Sequence, residues 1–476
     1  MQASTPIELT APGSKSIAHR LLIGAALAEG VSELAGISLN RDIEQTAEIL
    51  RTVGAKIQFY ELGRCTVAGV GRRLLGGKTA AVAQDCYVGE SGTTCRLLTA
   101  VLATGSGFFH LHGSPRMEQR PLAGLLHALE SLGAHLQFLG MEYSLPFILN
   151  ARGLRNPPDG GVRVSMLESS QYLSGLLLAA PLAETSVRPF IIEPHGSEVK
   201  GAEINGSGLA QSGGSHVISW PYVQLTLQAM ADFGVCVQVE TRLDLQSPWS
   251  TADWRNLKFA QCGLLRFVIH PGAYRAGEYR VEGDWSGASY LLAGGIVGSR
   301  EVGVAGLQKD SLQGDRAILD ILDQMGGRTF WRDGVIFACP SQLRGVEVDL
   351  GACPDLAPTI AVLAAFAKGR TRIFGAAHLR HKESDRIAAL VCELCKVGVQ
   401  ASELPDGLLI EGQGGLNLTG RRLERCAFGD HRLAMSWALL ELAGAKIILY
   451  DPAVVAKSFP NFWVAWQQIT GIGLFA

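Results

Sequence analysis

Polar residues stand directly before apolar stretches at several places in this chain, in an arrangement that suits the binding of anions. The segments are PGSKS (12–16), GESGTT (89–94), ESSQ (168–171), EGDWS (282–286), CPD (353–355), HKESD (381–385) and GDHR (429–432). Helix capping explains their Ser, Thr and Asp residues. It does not explain Lys15, Lys382 and Arg432, because a cation at a helix start opposes the helix dipole. Helix starts bind phosphates and carboxylates through free N–H groups, so we expect one site for several anionic groups.

A second regularity concerns the elements that must position these residues. An apolar residue, two further residues, an apolar residue and a glycine recur, and a degraded copy closes the chain. The glycines are Gly54, Gly133, Gly234, Gly326 and Gly398, with Gly471 in the degraded copy. Each copy predicts an amphipathic helix that ends at a left-handed glycine and is followed by a strand. The spacing of roughly 70 to 100 residues predicts six α/β units, three in each of two similar domains.

Composition excludes several classes of protein. The chain has 476 residues, 47% hydrophobic and 18% charged, which argues against disorder and suggests two or three domains. A net charge of -2 argues against nucleic-acid binding, and no apolar stretch has the ~20 residues that span a membrane. The N-terminus does not resemble a signal peptide. Ten scattered cysteines, with Cys392 and Cys395 the one CxxC pair, fit a reducing cytoplasm and show no metal-ligand cluster.

The ordered motifs resemble a known family. The same segments, together with GSPRMEQRP, SWPY, QGD and AKSFPNFW, occur in one order between Pro12 and Phe462. As a set they resemble the 5-enolpyruvylshikimate-3-phosphate (EPSP) synthase family. The resemblance implies an α/β fold of two domains, each of three repeated units with helices inside and sheets outside. Residues 1–13 plus 283–476 would form one domain and 14–282 the other, with insertions near 193–217 and 240–265.

The resemblance also implies a reaction without a metal or organic cofactor. The enolpyruvyl group of phosphoenolpyruvate would pass to the 5-hydroxyl of shikimate 3-phosphate through a tetrahedral intermediate that releases phosphate. Both substrates carry a phosphate and a carboxylate, so many cations must converge. One general acid and one general base are needed, and orientation supplies much of the remaining rate enhancement. We expect a cytoplasmic monomer with these two small-molecule substrates as its partners.

The family's roles transfer to matching positions. Asp355 is the expected base and Glu383 the expected proton donor, with Lys15, Lys382 and His431 assisting. Arg20 is expected to pair the shikimate carboxylate, which suits a planar guanidinium. The shikimate 3-phosphate set is Lys15, Ser16, Arg20, Ser169, Ser170, Gln171, Ser219, Tyr222, Asp355 and Lys382. The phosphoenolpyruvate set is Lys15, Gly92, Thr93, Arg116, Gln171, Arg386, Arg432 and Lys457.

Some positions depart from the family's common pattern. Glu90 and His378 stand where Asn is frequent, and Leu97 stands where Pro often follows Arg96. A carboxylate at 90 would repel phosphoenolpyruvate unless a cation pairs with it, and Arg96 is the expected partner. The herbicide glyphosate occupies the phosphoenolpyruvate subsite in this family. Gly92 favours sensitivity to it, whereas Glu90 and Leu97 leave sensitivity open.

Taken singly, Asp355, Asp430 and the residues around Lys382 could be ordinary helix caps or solvated helix starts. For the chain as a whole, two other functions remain open at this stage. A sister enolpyruvyl transferase would use a UDP-amino sugar as acceptor and commonly carries an acidic Cys, which GSPRMEQRP lacks. A silent paralogue that only binds anions would be expected to lose a key cation or carboxylate, and the chain retains them.

Overall fold

The computed structural model describes residues 5–155, 161–183, 189–196, 217–258 and 260–471. Its strands form several small sheets of similar topology. The helices α1 to α13 are Lys15–Leu27, Arg41–Thr52, Gly92–Ala103, Pro115–Glu118, Ala123–Ser131, Gln171–Ala179, Trp220–Asp232, Trp285–Val297, Ile318–Gln324, Ala357–Phe366, Arg386–Lys396, His431–Ala438 and Phe462–Thr470. The strands β1 to β24 are Ile7–Thr10, Ala28–Ala35, Lys56–Tyr60, Arg64–Val70, Gln84–Tyr87, Ser106–His112, His135–Phe138, Phe147–Arg152, Val162–Ser165, Phe190–His195, Val237–Thr241, Ser250–Thr251, Leu265–Ile269, Tyr274–Arg275, Glu278–Arg280, Val302–Ala305, Arg328–Arg332, Val335–Cys339, Glu347–Asp349, Lys368–Phe374, Gln400–Leu404, Gly407–Gln413, Arg422–Arg425 and Lys446–Leu449.

The strands form six sheets within the described residues. Their orders are β14-β2-β4-β3 with β15 also on β2, β5-β6-β8-β7, β9-β10-β13-β11-β12, β1-β16-β18-β17, β19-β20-β22-β21 and β23-β24. Each sheet has a parallel pair, and in five of them an antiparallel hairpin continues from it. Six sheets, of which five are alike and the sixth is the parallel pair β23-β24 alone, confirm the six predicted α/β units.

The chain crosses between the two halves of the molecule at its first strand and near residue 280. Strand β1 pairs in parallel with β16, while β14 and β15 pair with β2. Gly13 and Gly283 form a bridge between the two crossing segments. Buried apolar residues fall into one cluster that spans 18–281 and another made of Leu9, Ala11 and residues 285–469. These observations support the predicted division into 1–13 plus 283–476 and 14–282, which stays a prediction.

Each half has three helices that are buried on nearly all sides. They are α1, α3 and α6 in the first half and α8, α10 and α12 in the second. Because these six helices are buried along most of their length, they form the centre, and the sheets cover them. The predicted fold class, with helices inside and sheets outside, is therefore confirmed.

The repeated glycines end the amphipathic helices. The helices α2, α5, α7, α9 and α11 end two residues before Gly54, Gly133, Gly234, Gly326 and Gly398. These glycines have φ between +80° and +109°, a conformation that strains a residue with a Cβ. Strands β3, β7, β11, β17 and β21 follow within three residues. The predicted helix–glycine–strand unit is confirmed in all five copies.

The predicted insertions are only partly described. Most of 193–217 lies outside the described residues, which resume at 217. The second stretch, 240–265, contains β12, and the centre of its Trp249 ring lies 4.3 Å from the Arg242 guanidinium and 4.5 Å from the Arg266 guanidinium. Among the described helices, none is long and apolar enough to cross a membrane.

Candidate active site

The N-termini of all six buried helices meet at one cleft between the two halves. Lys15 begins α1, Gly92 begins α3, Gln171 begins α6, and His431 begins α12. Asp284 caps α8, and a 3-10 turn from Pro354 to Leu356 leads into α10. The predicted site residues Lys15, Ser16, Gly92, Thr93, Ser169, Ser170, Gln171, Ser219, Tyr222, Asp355, Lys382, Glu383, Arg386, His431 and Arg432 line this cleft, whereas Arg20, Arg116 and Lys457 do not.

Capping accounts for some of these helix starts and not for others. Asp430 accepts a hydrogen bond from the Arg432 N–H at 3.0 Å and so caps α12, as the sequence predicts. Ser14 and Ser170, before α1 and α6, make no side-chain capping bond. The first N–H groups of these helices find other partners, because the Lys15 N–H donates to the Asp284 carboxylate and the Gln171 N–H to the Ser169 hydroxyl, each at 3.2 Å. The other N–H groups of the first turns can bind anions.

Asp355 lies between two arginines. Its Oδ1 is 3.0 Å from a nitrogen of Arg386, and its Oδ2 is 2.5 Å from a nitrogen of Arg432. Burial raises the pKa of this carboxyl, but Arg432, Lys382 and Arg386 outweigh burial and hold the pKa well below its ordinary value. Asp355 is therefore a carboxylate that is fixed in orientation at the cleft wall.

Arg386 connects the predicted base with the predicted acid. Besides Asp355, its guanidinium bonds Glu383 at 2.9 Å and Asp430 at 2.7 Å, and it is fully buried. Burial raises the pKa of Glu383, but Lys457, Arg386 and Arg120 outweigh burial and hold it well below normal. In this arrangement the predicted proton donor is ionised, and only a change in its cationic surroundings can protonate it.

Lys382 and His431 have strongly shifted protonation equilibria. Burial, opposed by the Asp355 carboxylate, lowers the pKa of Lys382 to about 8. Burial, reinforced by Lys15 and Arg432, lowers the pKa of His431 well below its ordinary value. Both His431 ring nitrogens are buried and have no partner among the described residues. At neutral pH, Lys382 is thus mostly cationic and His431 neutral.

Four charged residues of the cleft were not among the predicted site residues, namely Asp42, Arg120, Glu168 and Asp284. Asp42, at the start of α2, binds the Lys15 Nζ at 2.9 Å. Its position in the first turn has an ordinary explanation in the helix dipole, which hid its role. Arg120 is the second arginine of GSPRMEQRP, and a Cβ on Gly92 would come within 2.8 Å of its guanidinium. Gly92 therefore leaves space for the Arg120 guanidinium. The glycine at position 92 is the feature of the sequence that could have pointed to a side chain packed closely against this helix start.

Three predicted residues lie one contact behind the cleft. Arg20 donates to the Ser16 carbonyl at 2.6 Å, the Tyr222 carbonyl at 2.9 Å and the Thr226 hydroxyl at 2.8 Å. The Arg116 guanidinium donates to the backbone carbonyls of Lys382 and Glu383 at 3.0 and 3.1 Å. The Lys457 Nζ lies 3.4 Å from the Glu383 carboxylate. In this arrangement all three hold cleft residues in place, and their predicted substrate contacts stay predictions.

The partner expected for Glu90 was wrong. The Glu90 carboxylate pairs with Lys457 at 3.3 Å, across the two halves of the molecule. Arg96 instead donates to the Gln171 side-chain oxygen at 3.0 Å and to the Pro121 carbonyl. Arg96 lies on the buried helix α3 and contacts α6, whereas Glu90 contacts the other half of the molecule. The spacing of residues in the sequence does not show which half a side chain will contact.

One set of three side chains in the described part of the chain has metal-ligand spacing. Asp85 on β5 and His110 and His112 on β6 have their ligand atoms within 4.8 Å of one another. They lie on a sheet outside the cleft, and the Asp85 carboxylate accepts a hydrogen bond from His112 at 2.9 Å.

Comparisons with known proteins agree with this geometry. The family model for EPSP synthase (3-phosphoshikimate 1-carboxyvinyltransferase) matches residues 3–198 and 261–466. A 3-phosphoshikimate 1-carboxyvinyltransferase of Syntrophobacter fumaroxidans is 37% identical over 463 residues, which is 97% of this chain and 96% of that protein. One of Aeromonas salmonicida is 34% identical and covers 96% of this chain and 94% of its own length.

Solved structures share the fold. EPSP synthase from Acinetobacter baumannii superposes with a TM-score of 0.70 at 24% identity, over 97% of this chain and 95% of that one. The enolpyruvyl transferase NikO from Streptomyces tendae gives a TM-score of 0.68 at 16% identity, over 98% and 95%. At these identities the structures support the architecture alone.

Proposed function

The chain belongs to the EPSP synthase family, and on that premise we propose the reaction that its cleft performs. It transfers the enolpyruvyl group of phosphoenolpyruvate to the 5-hydroxyl of shikimate 3-phosphate and releases phosphate. This is the step of the shikimate pathway that its relatives' names describe. The observation that supports it best is the link from Asp355 through Arg386 to Glu383, within a cleft lined by cations from both halves.

Substrate binding changes the electrostatics of that link. Carboxylates of the protein neutralise Lys15, Arg386 and Arg432 in the cleft and Lys457 directly behind it. When phosphate and carboxylate groups of the substrates take up these cations, their hold on the protein's own carboxylates weakens. The pKa values of Asp355 and Glu383 then rise toward the range in which a base and an acid can work.

The chemical steps follow from that arrangement. Glu383 delivers a proton to the methylene carbon of phosphoenolpyruvate, and the central carbon becomes electrophilic. The 5-hydroxyl oxygen attacks that carbon while Asp355 accepts the hydroxyl proton. The tetrahedral intermediate then loses phosphate by C–O cleavage, while Glu383, left as a carboxylate by the first step, takes a proton from the new methyl group. Lys382 and Arg120 stabilise negative charge beside these centres.

The two substrates occupy opposite sides of Gln171. Its side-chain amide donates to the Thr93 hydroxyl at 2.9 Å and accepts from Arg96 at 3.0 Å, and these two contacts with α3 fix its orientation in the cleft. Shikimate 3-phosphate binds at Lys15, Ser16, Arg20, Ser169, Ser170, Ser219, Tyr222 and Lys382. Phosphoenolpyruvate binds at Lys15, Gly92, Thr93, Arg116, Arg120, Arg386, Arg432 and Lys457.

We place the enzyme in the cytoplasm as a monomer of two domains. The ten cysteines all lie within the described residues and form no disulfide there, which suits a reducing compartment. The cleft is complete within one chain, since both halves contribute to it. Equilibrium sedimentation at assay concentration tests the monomer.

Phosphate release from phosphoenolpyruvate, with and without shikimate 3-phosphate, tests the function. We expect acceptor-dependent release that falls by at least ~10²-fold in Asp355→Ala and Lys15→Ala, because each removes a group of the reacting centre. Asp320→Ala and Lys56→Ala, at exposed positions, are the matched controls and should behave like the wild type.

The acceptor decides between the possible functions. Release with a UDP-amino sugar and not with shikimate 3-phosphate would replace the proposal by the sister transferase. Absence of release with either acceptor, in a folded protein that still binds phosphoenolpyruvate, would favour a silent paralogue.

A further inference from the structure

A second buried carboxyl group lies behind the base. Asp315 belongs to the 3-10 turn Gly314–Ala317, just before α9, and is 4% exposed. The Tyr222 hydroxyl is 3.1 Å from the Asp315 Oδ2 and 3.3 Å from the Asp355 Oδ2. The phenol therefore connects the two carboxyl groups, and Asp315 itself does not line the cleft.

The surroundings of the two carboxyl groups differ sharply. Asp355 is paired with two arginines, whereas no Lys or Arg nitrogen in the described residues lies within 4.0 Å of the Asp315 carboxyl. The Asp315 Oδ1 is buried without a hydrogen-bond partner among those residues. The charged or titratable groups that face Asp315 are Tyr222, Asp284, Cys353, Asp355 and Arg432.

This asymmetry decides where a shared proton is more stable. One phenol hydrogen cannot satisfy two carboxylates, so one carboxyl group must hold an additional proton or remain unpaired. Burial, together with the Asp355 charge, raises the pKa of Asp315 to about 7, while the pKa of Asp355 lies well below normal. A proton on the chain Asp355–Tyr222–Asp315 therefore favours the Asp315 end.

We propose that Asp315 receives, through Tyr222, the proton that Asp355 takes from the acceptor hydroxyl. The inference rests on the proposed function. As the new C–O bond forms, the hydroxyl proton moves to Asp355. Asp355 passes it to the phenol oxygen while the phenol hydrogen moves to the Asp315 carboxylate. The products are a neutral Asp315, an unchanged Tyr222 and an Asp355 carboxylate again paired with its arginines.

The proton relay lowers the electrostatic cost of protonating Asp355 during the chemical step. A protonated Asp355 would leave Arg386 and Arg432 facing a neutral group, which costs electrostatic energy. Transfer to Asp315 restores those pairs before the intermediate breaks down. Asp315 then releases its proton before the next turnover. It acts only through Tyr222 and is a positioning residue rather than a catalytic one.

The pH dependence carries the signature of the relay. Asp315 accepts a proton only when it is ionised, so kcat/KM, which follows the free enzyme, should rise with pH through about 7. Lys382 must stay cationic, so kcat/KM should fall as pH rises through about 8. A structural role for Asp315 would lower activity or stability without moving the acidic side of this profile alone.

The test compares kcat and KM across pH in Asp315→Asn, Tyr222→Phe and the double variant. We expect kcat to fall about 10- to 10²-fold in each single variant, and the acidic limb of the kcat/KM profile to be lost. The KM of Asp315→Asn should stay within about threefold, because Asp315 does not line the cleft. The double variant should be no slower than either single one, because both interrupt the same chain. Asp320→Asn, an exposed carboxyl on α9, is the control.

Infrared spectroscopy of the free enzyme gives a readout that does not need turnover. A protonated carboxyl band should disappear as pH rises through about 7 and should be absent in Asp315→Asn. Wild type that turns over, together with Asp315→Asn that keeps both its kcat and its acidic limb, would overturn the relay alone. Wild type without phosphate release would remove the proposed function and the relay together.

Discussion

At the scale of single residues, the cations of the cleft are paired with carboxylates of the protein when no substrate is bound. Arg386 contacts Asp355, Glu383 and Asp430, and Lys457 contacts Glu383. A cation that is already paired can exchange one carboxylate for another at little net cost, whereas an unpaired buried cation would cost several kcal/mol. Affinity for the substrates therefore depends on how strongly the protein's own carboxylates compete.

Glu90 is the competitor that a substitution can test most directly. Its side chain is 52% exposed and pairs with Lys457, which is otherwise buried. An exposed pair is worth at most about 1 kcal/mol, so Glu90→Gln should lower the KM for phosphoenolpyruvate by up to about fivefold. We expect kcat to stay within about twofold, because Glu90 does not contact Asp355 or Glu383.

Steady-state kinetics with phosphoenolpyruvate as the varied substrate measure this effect. Glu48→Gln removes an exposed carboxylate that pairs with Arg51 on the same half of the molecule, and serves as the control. An unchanged or higher KM in Glu90→Gln would show that Glu90 supports the site instead of competing for Lys457.

At the scale of elements, one carboxylate, Asp430, both caps a helix and holds an arginine of the cleft. Asp430 caps α12 through one oxygen and bonds the Arg386 guanidinium at 2.7 Å through the other. The cap fixes the first turn of α12, which carries His431 and Arg432. The second bond fixes Arg386 at the start of α11. A single side chain thus sets the relative position of two cations on different helices.

Substitutions at 430 should separate these two contributions. Asp430→Asn keeps an oxygen for the cap but loses the charge opposite Arg386, so the KM for phosphoenolpyruvate should rise. Asp430→Ala also loses the cap and should be less stable than Asp430→Asn by about 1 kcal/mol. Urea unfolding and steady-state kinetics measure the two effects.

The matched control is Asp385→Ala. Asp385 caps α11 by accepting from the Ala388 N–H at 3.0 Å, but it makes no bond to Arg386. Its loss should lower the free energy of unfolding while leaving the KM for phosphoenolpyruvate within about twofold. Equal stability of the Asn and Ala variants at 430 would contradict the capping role.

At the scale of the whole molecule, the two halves are held together at the cleft by a small number of polar contacts. The Arg116 guanidinium, from α4, bonds two carbonyls of the segment before α11. Lys457 pairs with Glu90, and the Ser219 hydroxyl donates to the Gly351 carbonyl at 3.2 Å. Such contacts can open and close at low cost, which favours a hinge at the two crossing segments.

Arg116→Ala tests whether these contacts control closure. Loss of a charged donor with two hydrogen bonds is worth about 1.5 kcal/mol or more, so the KM for phosphoenolpyruvate should rise about tenfold. Small-angle scattering of the substrate-free protein should show a larger radius of gyration than in the wild type. If Arg116 acted only as a phosphoenolpyruvate contact and did not also restrain the two halves, its loss would raise the KM without changing the scattering.

Arg64→Ala controls for the loss of an arginine. Arg64 is exposed and pairs with Glu33 within one half of the molecule, so neither the scattering nor the KM should change. Identical scattering curves for Arg116→Ala and wild type would mean that Arg116 does not restrain the two halves.

The sequence by itself determined the repeat, the helix ends and most of the cleft. Each helix end depends on a few adjacent residues: a glycine at positive φ stops α2 or α11, and Asp430 caps α12. The charged residues at the starts of buried helices also fell where the ordered motifs place them. Local conformation and local charge are encoded within one turn, so they are visible in the chain.

Only the tertiary structure decided which side chains contact one another. Lys457 and Glu90 are far apart in sequence, and so are Tyr222 and Asp315, yet each pair is in contact. Packing of the six buried helices sets these distances, and it also placed Arg20 and Arg116 behind the cleft instead of at its wall. Because burial and partner charges depend on that packing, the pKa values of Asp315, Asp355 and Lys382 follow from the fold and not from the order of residues.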